Sequence, residues 1–252
     1  MRAIRALTIC GCVAMAAAAG ATETTPEAAA FFNDGIAKAN AGKYDEAIEA
    51  FEKSLAEDPN LTESHEFIAQ ILILKGDYEA AIERYQKMVA RNPSTESKVN
   101  LGLAYLRIGD EEMAAGTLES AVAADPGNSA GWNNLSMVYL RQGKAADARA
   151  AAEKAVDLDA GYAPAHVNLG NALLKEGDAD GAVDAFEKAI SLDDKQAGAY
   201  YGLAGASEFM GDEEAAGDYY LKYLELAPED EGRRSAAVQW LWKHGRGAEV
   251  PR

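Results

Sequence analysis

Side-chain carboxamides recur through this sequence at one spacing. Asn100, Asn134 and Asn168 follow one another at intervals of 34 residues, and Asn33 stands 67 residues before the first of them. A carboxamide donates through its nitrogen and accepts through its oxygen, so a row of them can hold peptide backbone whatever side chains it carries. A cationic row, Arg107, Arg141 and Lys175, has the same spacing and the chemistry to hold carboxylates. Both rows also admit a purely structural role: amides can tie neighbouring helices together, and cations near a helix C-terminus favour the dipole. Other chemistry is sparse. His65, His166 and His244 include no pair at the i, i+3 or i+4 spacing of metal ligands on one helix. There is no Gly-x-Ser-x-Gly elbow and no phosphate-binding loop. The acidic runs Asp212–Glu214 and Glu229–Glu231 lack the alternation of a calcium loop and suit helix starts. The expectation is a protein that is not an enzyme and has no cofactor and no metal.

The spacing of these residues belongs to a repeat. Gly42, Gly76, Gly109, Gly143, Gly177 and Gly211 are 33 or 34 residues apart, and an alanine follows each after five residues: Ala47, Ala81, Ala114, Ala148, Ala182 and Ala216. A fixed period of this length predicts a stacked helical array. Each period holds two helical patterns. Trp132, Leu135, Ser136 and Tyr139 fall on one face before Gly143, and Ala148, Ala152, Ala155 and Val156 fall on one face after it. The glycine ends the first helix in left-handed backbone. Asp58-Pro59-Asn60, Asn92-Pro93, Asp125-Pro126-Gly127-Asn128 and Ala227-Pro228 end the second, because proline cannot continue a helix. Small residues, Gly35, Ala69, Gly102, Ser136, Gly170 and Ala204, mark where the two helices must come close.

These residues resemble the tetratricopeptide repeat (TPR) family, whose pattern places Trp, Leu-Gly, Tyr, Gly, Ala, an aromatic, Ala and Pro at set offsets. Phe31, Gly35, Gly42, Tyr44, Ala47, Phe51 and Pro59 follow it in the first unit, and Leu169, Gly170, Gly177, Ala182, Phe186 and Ala189 in the fifth. Six units are expected: 28–61, 62–94, 95–128, 129–162, 163–196 and 197–230. A lead-in of 22–27 precedes them; a capping helix over 231–244 and a flexible tail over 245–252 follow. The second unit is one residue short, and Ala160 and Asp194 stand where proline is usual. The resemblance implies an all-α fold, a right-handed α-solenoid of antiparallel helix pairs. It also implies a concave groove lined by the first helices. Asn33, Gln70, Asn100, Arg107, Asn134, Arg141, Asn168, Asn171, Lys175 and Tyr201 would then face that groove. Gly198, Gly202 and Gly205 leave bare backbone near Tyr201, either as a small pocket or to let the last units pack closer. The chaperone-tail clamp of the family needs cations where this chain has Phe32, Glu66, Val99 and Asn133, so that activity is not expected.

Composition narrows the partner. With 24 Lys+Arg against 41 Asp+Glu the net charge is −17, which repels phosphate backbones and argues against nucleic acid. Arg2 and Arg5 precede an apolar run from Ala6 to Ala19, and Ala19-Gly20-Ala21 offers a cleavage site, the pattern of a signal peptide over 1–21. Cleavage there removes Cys10 and Cys12, the two cysteines of the chain. Ile9-Cys10-Gly11-Cys12 faintly resembles a lipoprotein box, and acylation of Cys12 would anchor the protein to a membrane. The expected function is an exported, non-enzymatic adaptor in the periplasm of a Gram-negative bacterium, holding an extended segment of another protein or peptide in its groove. The alternatives are a self-assembling scaffold and an acylated envelope-assembly or pilus-biogenesis lipoprotein.

Overall fold

Helix pairing in this chain begins at its glycines. Gly42, Gly76, Gly109, Gly143, Gly177 and Gly211 all have φ between 73° and 88°, the left-handed region that disfavours any side chain. The residue after each glycine sends its N–H back five residues, as in Asp110 to Tyr105 O (3.0 Å), Lys144 to Tyr139 O (2.9 Å) and Asp212 to Ser207 O (2.9 Å). That bond satisfies a carbonyl left open by the ending helix and turns the chain into the next one.

The computed structural model describes residues 24–91, 93–227 and 231–251. The signal sequence, its cleavage after Ala21 and the acylation of Cys12 lie outside them, as do Asn92 and Pro228 of the stop signals. The described residues form thirteen α-helices and a short 3-10 turn, Gly247–Glu249, with no strand among them. The chain divides into two compact units, Met1–Asp110 and Glu111–Arg252. The first holds α1 (Pro26–Asn40), α2 (Tyr44–Glu57), α3 (Thr62–Lys75), α4 (Tyr78–Arg91) and α5 (Thr95–Ile108). The second holds α6 (Glu111–Ala124), α7 (Ser129–Arg141), α8 (Ala145–Leu158) and α9 (Ala163–Glu176), followed by α10 (Ala179–Leu192), α11 (Ala197–Met210), α12 (Glu213–Leu226) and α13 (Glu231–Lys243). Within each unit successive helices pack on one another, and in the second α7 also meets α9, and α9 meets α11. Thr25, Ser94, Asn128, Asp178 and Asp212 accept from backbone N–H groups at helix starts, each such cap contributing about 1 kcal/mol.

The core follows from how closely paired helices approach. Ala47, Ala81, Ala114, Ala148, Ala182 and Ala216, five residues beyond the turn glycines, are all fully buried. Opposite them the first helices carry their small residues, and in two pairs a second-helix phenylalanine fills the space. A Cβ on Gly35 would lie 2.6 Å from the Phe51 ring, and one on Gly170 2.6 Å from Phe186. Phe186 is also met from the next repeat, where a Cβ on Gly202 would come within 2.3 Å. Both rings are fully buried.

At the far end of the second unit α13 covers α12. Ala237 and Leu241 are fully buried, and Trp240 packs on Tyr220 with ring centroids 5.2 Å apart. Trp242 is 66% exposed. The chain after Gly245, expected to fray, is instead held in place by side chains. Arg246 donates to Glu214 O (3.1 Å), to the Asp218 carboxylate (2.7 Å) and to both oxygens of Glu249 (3.0 and 2.8 Å). Arg234 donates to Pro251 O at 3.3 Å. The guanidinium lies against Gly217, where a Cβ would come within 2.2 Å of it.

Replacing Gly170 with Val should therefore cost about 1–3 kcal/mol, the usual penalty for overpacking a filled core. The reverse change, Phe186→Ala, should cost about 3–5 kcal/mol through the cavity it leaves. Urea unfolding followed by circular dichroism checks both; a Gly170→Val variant as stable as the parent would contradict this account of the close approach.

Candidate functional site

Each first helix is amphipathic in a particular way: one face meets its partner helix and the previous pair, and the remaining face carries polar side chains. In the first unit Asn33 on α1 is exposed, Gln70 on α3 and Asn100 on α5 are half-buried, and Arg107 in the last turn of α5 is exposed. Asn100 donates through Nδ2 to Glu66 Oε1 at 3.1 Å, joining α5 to α3. Burial, then repulsion from Glu96 and Glu63, pushes the Glu66 carboxyl above its ordinary value, and the Asn100 bond partly offsets this. This part of the first-helix face is acidic.

In the second unit Asn134 on α7, and Asn168 and Asn171 on α9, are half-buried, while Arg141 and Lys175 lie exposed in the last turns of their helices. Asn168 and Asn134 are connected through a residue the sequence reading passed over. Asn168 Nδ2 donates to the backbone oxygen of Asn133 (3.2 Å) and to its Oδ1 (2.9 Å), and Asn133 Nδ2 donates to Asn134 Oδ1 (3.4 Å). Asn133 is buried, so it is the structural member of the set. These bonds use the donors of Asn168 and the acceptor of Asn134. The Asn168 oxygen and the Asn134 N–H groups keep their own capacity, one to accept and one to donate. The signal for Asn133 was its place beside Asn134 on the same helix, where one amide turns inward if the next turns outward.

Tyr201 is placed differently from its neighbours in the groove reading. Its ring lies edge-on to Tyr220 and Tyr223, with centroids 5.6 and 5.0 Å away, and the Arg233 guanidinium from α13 sits 5.4 Å over its face. It is a packing residue under α13 in this structure. Gly202 is occupied space as well, since Phe186 fills it, while Gly198 and Gly205 lie near side chains of α9. The glycines of the sixth repeat serve close packing of α11.

Two further clusters stand outside the groove. A cleft of about 530 Å³ beside α12 and α13 is lined by Glu213, Glu214, Asp218, His244, Arg246 and Glu249. The sequence gave no sign of it because it exists only through the folded-back segment after Gly245. Among the described residues no group of three or more His, Cys, Asp or Glu is placed to hold a metal, and no helix is long and apolar enough to cross a membrane. His166 is buried with Nε2 3.0 Å from Ala160 O. His65 lies against Arg84 (3.1 Å from Nδ1) and Arg91 (3.4 Å from Nε2), while Arg84 also pairs with Glu52.

Helix pairs turned by left-handed glycines, with polar first-helix faces, define a helical-repeat protein of the kind that presents side chains in rows. The chain belongs to a tetratricopeptide repeat family, matching the model described as cilia and flagella-associated protein 70 C-terminal domain over residues 4–239. No curated protein sequence matches it. Among solved structures it is similar to a chain of the APC/C hetero-tetramer Cut9–Hcn1 (22% identity, TM-score 0.71), covering 85% of this chain and 43% of that one. The chain thus spans less than half the length of that relative. It is similar to MamA (29% identity, TM-score 0.58, covering 68% of this chain and 94% of that one). It is also similar to PilW, a type IV pilus biogenesis factor (19% identity, TM-score 0.71, covering 84% and 99%).

His65 offers a direct check on the described geometry. Burial first, then the two arginines, lower its pKa from the ordinary 6.5. The unfolded chain therefore takes up this proton at higher pH than the folded one, so stability should fall as pH drops from about 6.5 through the folded value. NMR titration should place the His65 midpoint below 6.5, and Arg84→Gln should move it upward; a midpoint above 6.5 would contradict the placement of the arginines.

Proposed function

We propose that this chain is an exported, non-enzymatic adaptor whose first-helix face binds an extended segment of another envelope or secreted protein. The observation that carries this reading is the arrangement around Asn133. A buried amide fixes Asn134 and Asn168 on adjacent first helices, so that one keeps donors and the other keeps an acceptor. A peptide group presents both a carbonyl and an N–H, and such a pair can meet both without reading side chains. The order is set by protein–protein bonds, so little side-chain freedom is lost when a ligand arrives. PilW is described as a pilus biogenesis factor, which is in keeping with an envelope role here. The apolar run after Arg2 and Arg5 supports export, and cleavage after Ala21 would give a free periplasmic form. Acylation at Cys12 would tether the same groove to a membrane.

The test is photo-crosslinking in the native envelope with a probe in place of Asn134 and a control in place of Glu153, which is exposed on α8. A partner captured from Asn134 and not from Glu153 is the expected result. Capture only from Glu153, or only self-crosslinks, would move the function to assembly of copies of the chain. Alanine variants separate the two amide roles: Asn133→Ala should destabilise by about 1–3 kcal/mol by stranding a buried partner, while Asn134→Ala should reduce capture and leave the melting temperature within a few degrees.

A further inference from the structure

The cationic row does not end at Lys175. The residue two before the turn glycine is Arg141 in α7 and Lys175 in α9, and at the same register in α11 it is Phe209. Phe209 is 64% exposed and Met210 beside it is 49% exposed. A single exposed apolar side chain is ordinary on a protein surface. Here the register matters: α7 packs on α9, and α9 on α11, so an exposed aromatic ring continues a line of exposed cations on three successive helices. The acidic residues next to that line are engaged elsewhere. Glu176 accepts from Arg149 on α8 at 3.3 Å, and Glu208 accepts from the Tyr220 hydroxyl on α12. Both carboxylates are thus bonded to second helices, which leaves the cationic character of the row less offset than the net charge of −17 suggests.

We infer that the ends of α7, α9 and α11 form a docking line for an acidic peptide segment that carries one apolar side chain, the carboxylates meeting Arg141 and Lys175 and the apolar group covering Phe209 and Met210. This rests on the groove reading above and gives the ligand its chemistry and its spacing. Packed helices lie about 8–10 Å apart, and an extended chain advances about 3.3 Å per residue. One repeat therefore matches about three residues of ligand. The pattern is a carboxylate, a second carboxylate three residues on, and a leucine or phenylalanine three beyond that. The apolar contact contributes by removing Phe209 from water, and the charges set the register.

The probe is a fluorescein-labelled peptide, acetylated and amidated, with two aspartates and a leucine at those spacings among serines and glycines. Fluorescence anisotropy with the purified full chain should show salt-sensitive binding. Phe209→Ser should weaken it at least about fivefold, and Lys175→Gln should weaken it and flatten its salt dependence. Replacing the peptide leucine by serine should cost the parent as much as Phe209→Ser does, and should cost the Phe209→Ser variant nothing more. The ring is exposed, so the variant should keep its helical circular dichroism; Lys175→Gln serves as the independent test if it does not. Absence of binding, affinity unchanged in both variants, or equal binding of a peptide with lysines for aspartates would overturn the inference. If the peptide fails while Asn134 still crosslinks to a partner, this inference falls and the groove reading stands. Loss of both would remove the groove reading too.

Discussion

Two helices can lie close enough to share a buried alanine only if the facing residue is small, and that approach is repeated six times along this chain. Ala47, Ala81, Ala114, Ala148, Ala182 and Ala216 are wholly removed from water. The turn glycine makes the approach possible by reversing the chain within two or three residues, with backbone that a side chain would strain. Once the pair is this tight, its remaining surfaces are committed. The second helix buries its ring or aliphatic side chain, the first helix keeps a polar face, and rows of like residues result because the geometry recurs with the sequence period.

Those rows are the means by which an otherwise acidic protein can bind selectively. Net charge acts at a distance and excludes phosphate-rich partners, but contact is decided by the few groups on the first-helix faces. The two units differ in this respect. Glu66, with Glu63 and Glu96 near enough to raise its pKa, gives the first unit an anionic face, and the second presents amides, Arg141 and Lys175. A ligand running along the second unit meets hydrogen-bonding capacity before it meets charge.

The repeat architecture was legible in the sequence because its signals are local: a glycine, an alanine five residues on, and a small residue opposite. The site was legible only as a register. Asn134 and Asn168 were visible as members of a row, but the part played by Asn133 depends on which of two adjacent amides turns inward, and that is settled by packing between α7 and α9. Tyr201 shows the same limit from the other side. Its position along α11 resembles that of the other groove residues, and its fate is decided by α13, which places Arg233 over the ring. The segment after Gly245 looked unstructured because a short polar stretch has no periodicity; what orders it is one arginine reaching Glu214 and Asp218, more than 25 positions earlier.

Phe186 stands between two repeats and contacts both, with Gly170 on one side and Gly202 on the other. In a solenoid the stability of each repeat and the coupling to its neighbour are separate quantities, and a ring shared this way belongs to the coupling. The fifth and sixth repeats should then open to solvent together, as one exchange-protected block, so that the smallest fluctuation available at that end is two repeats long. A surface made from residues of both, as Lys175 and Phe209 are, would be lost or kept whole, and a partner would meet it as a single rigid edge.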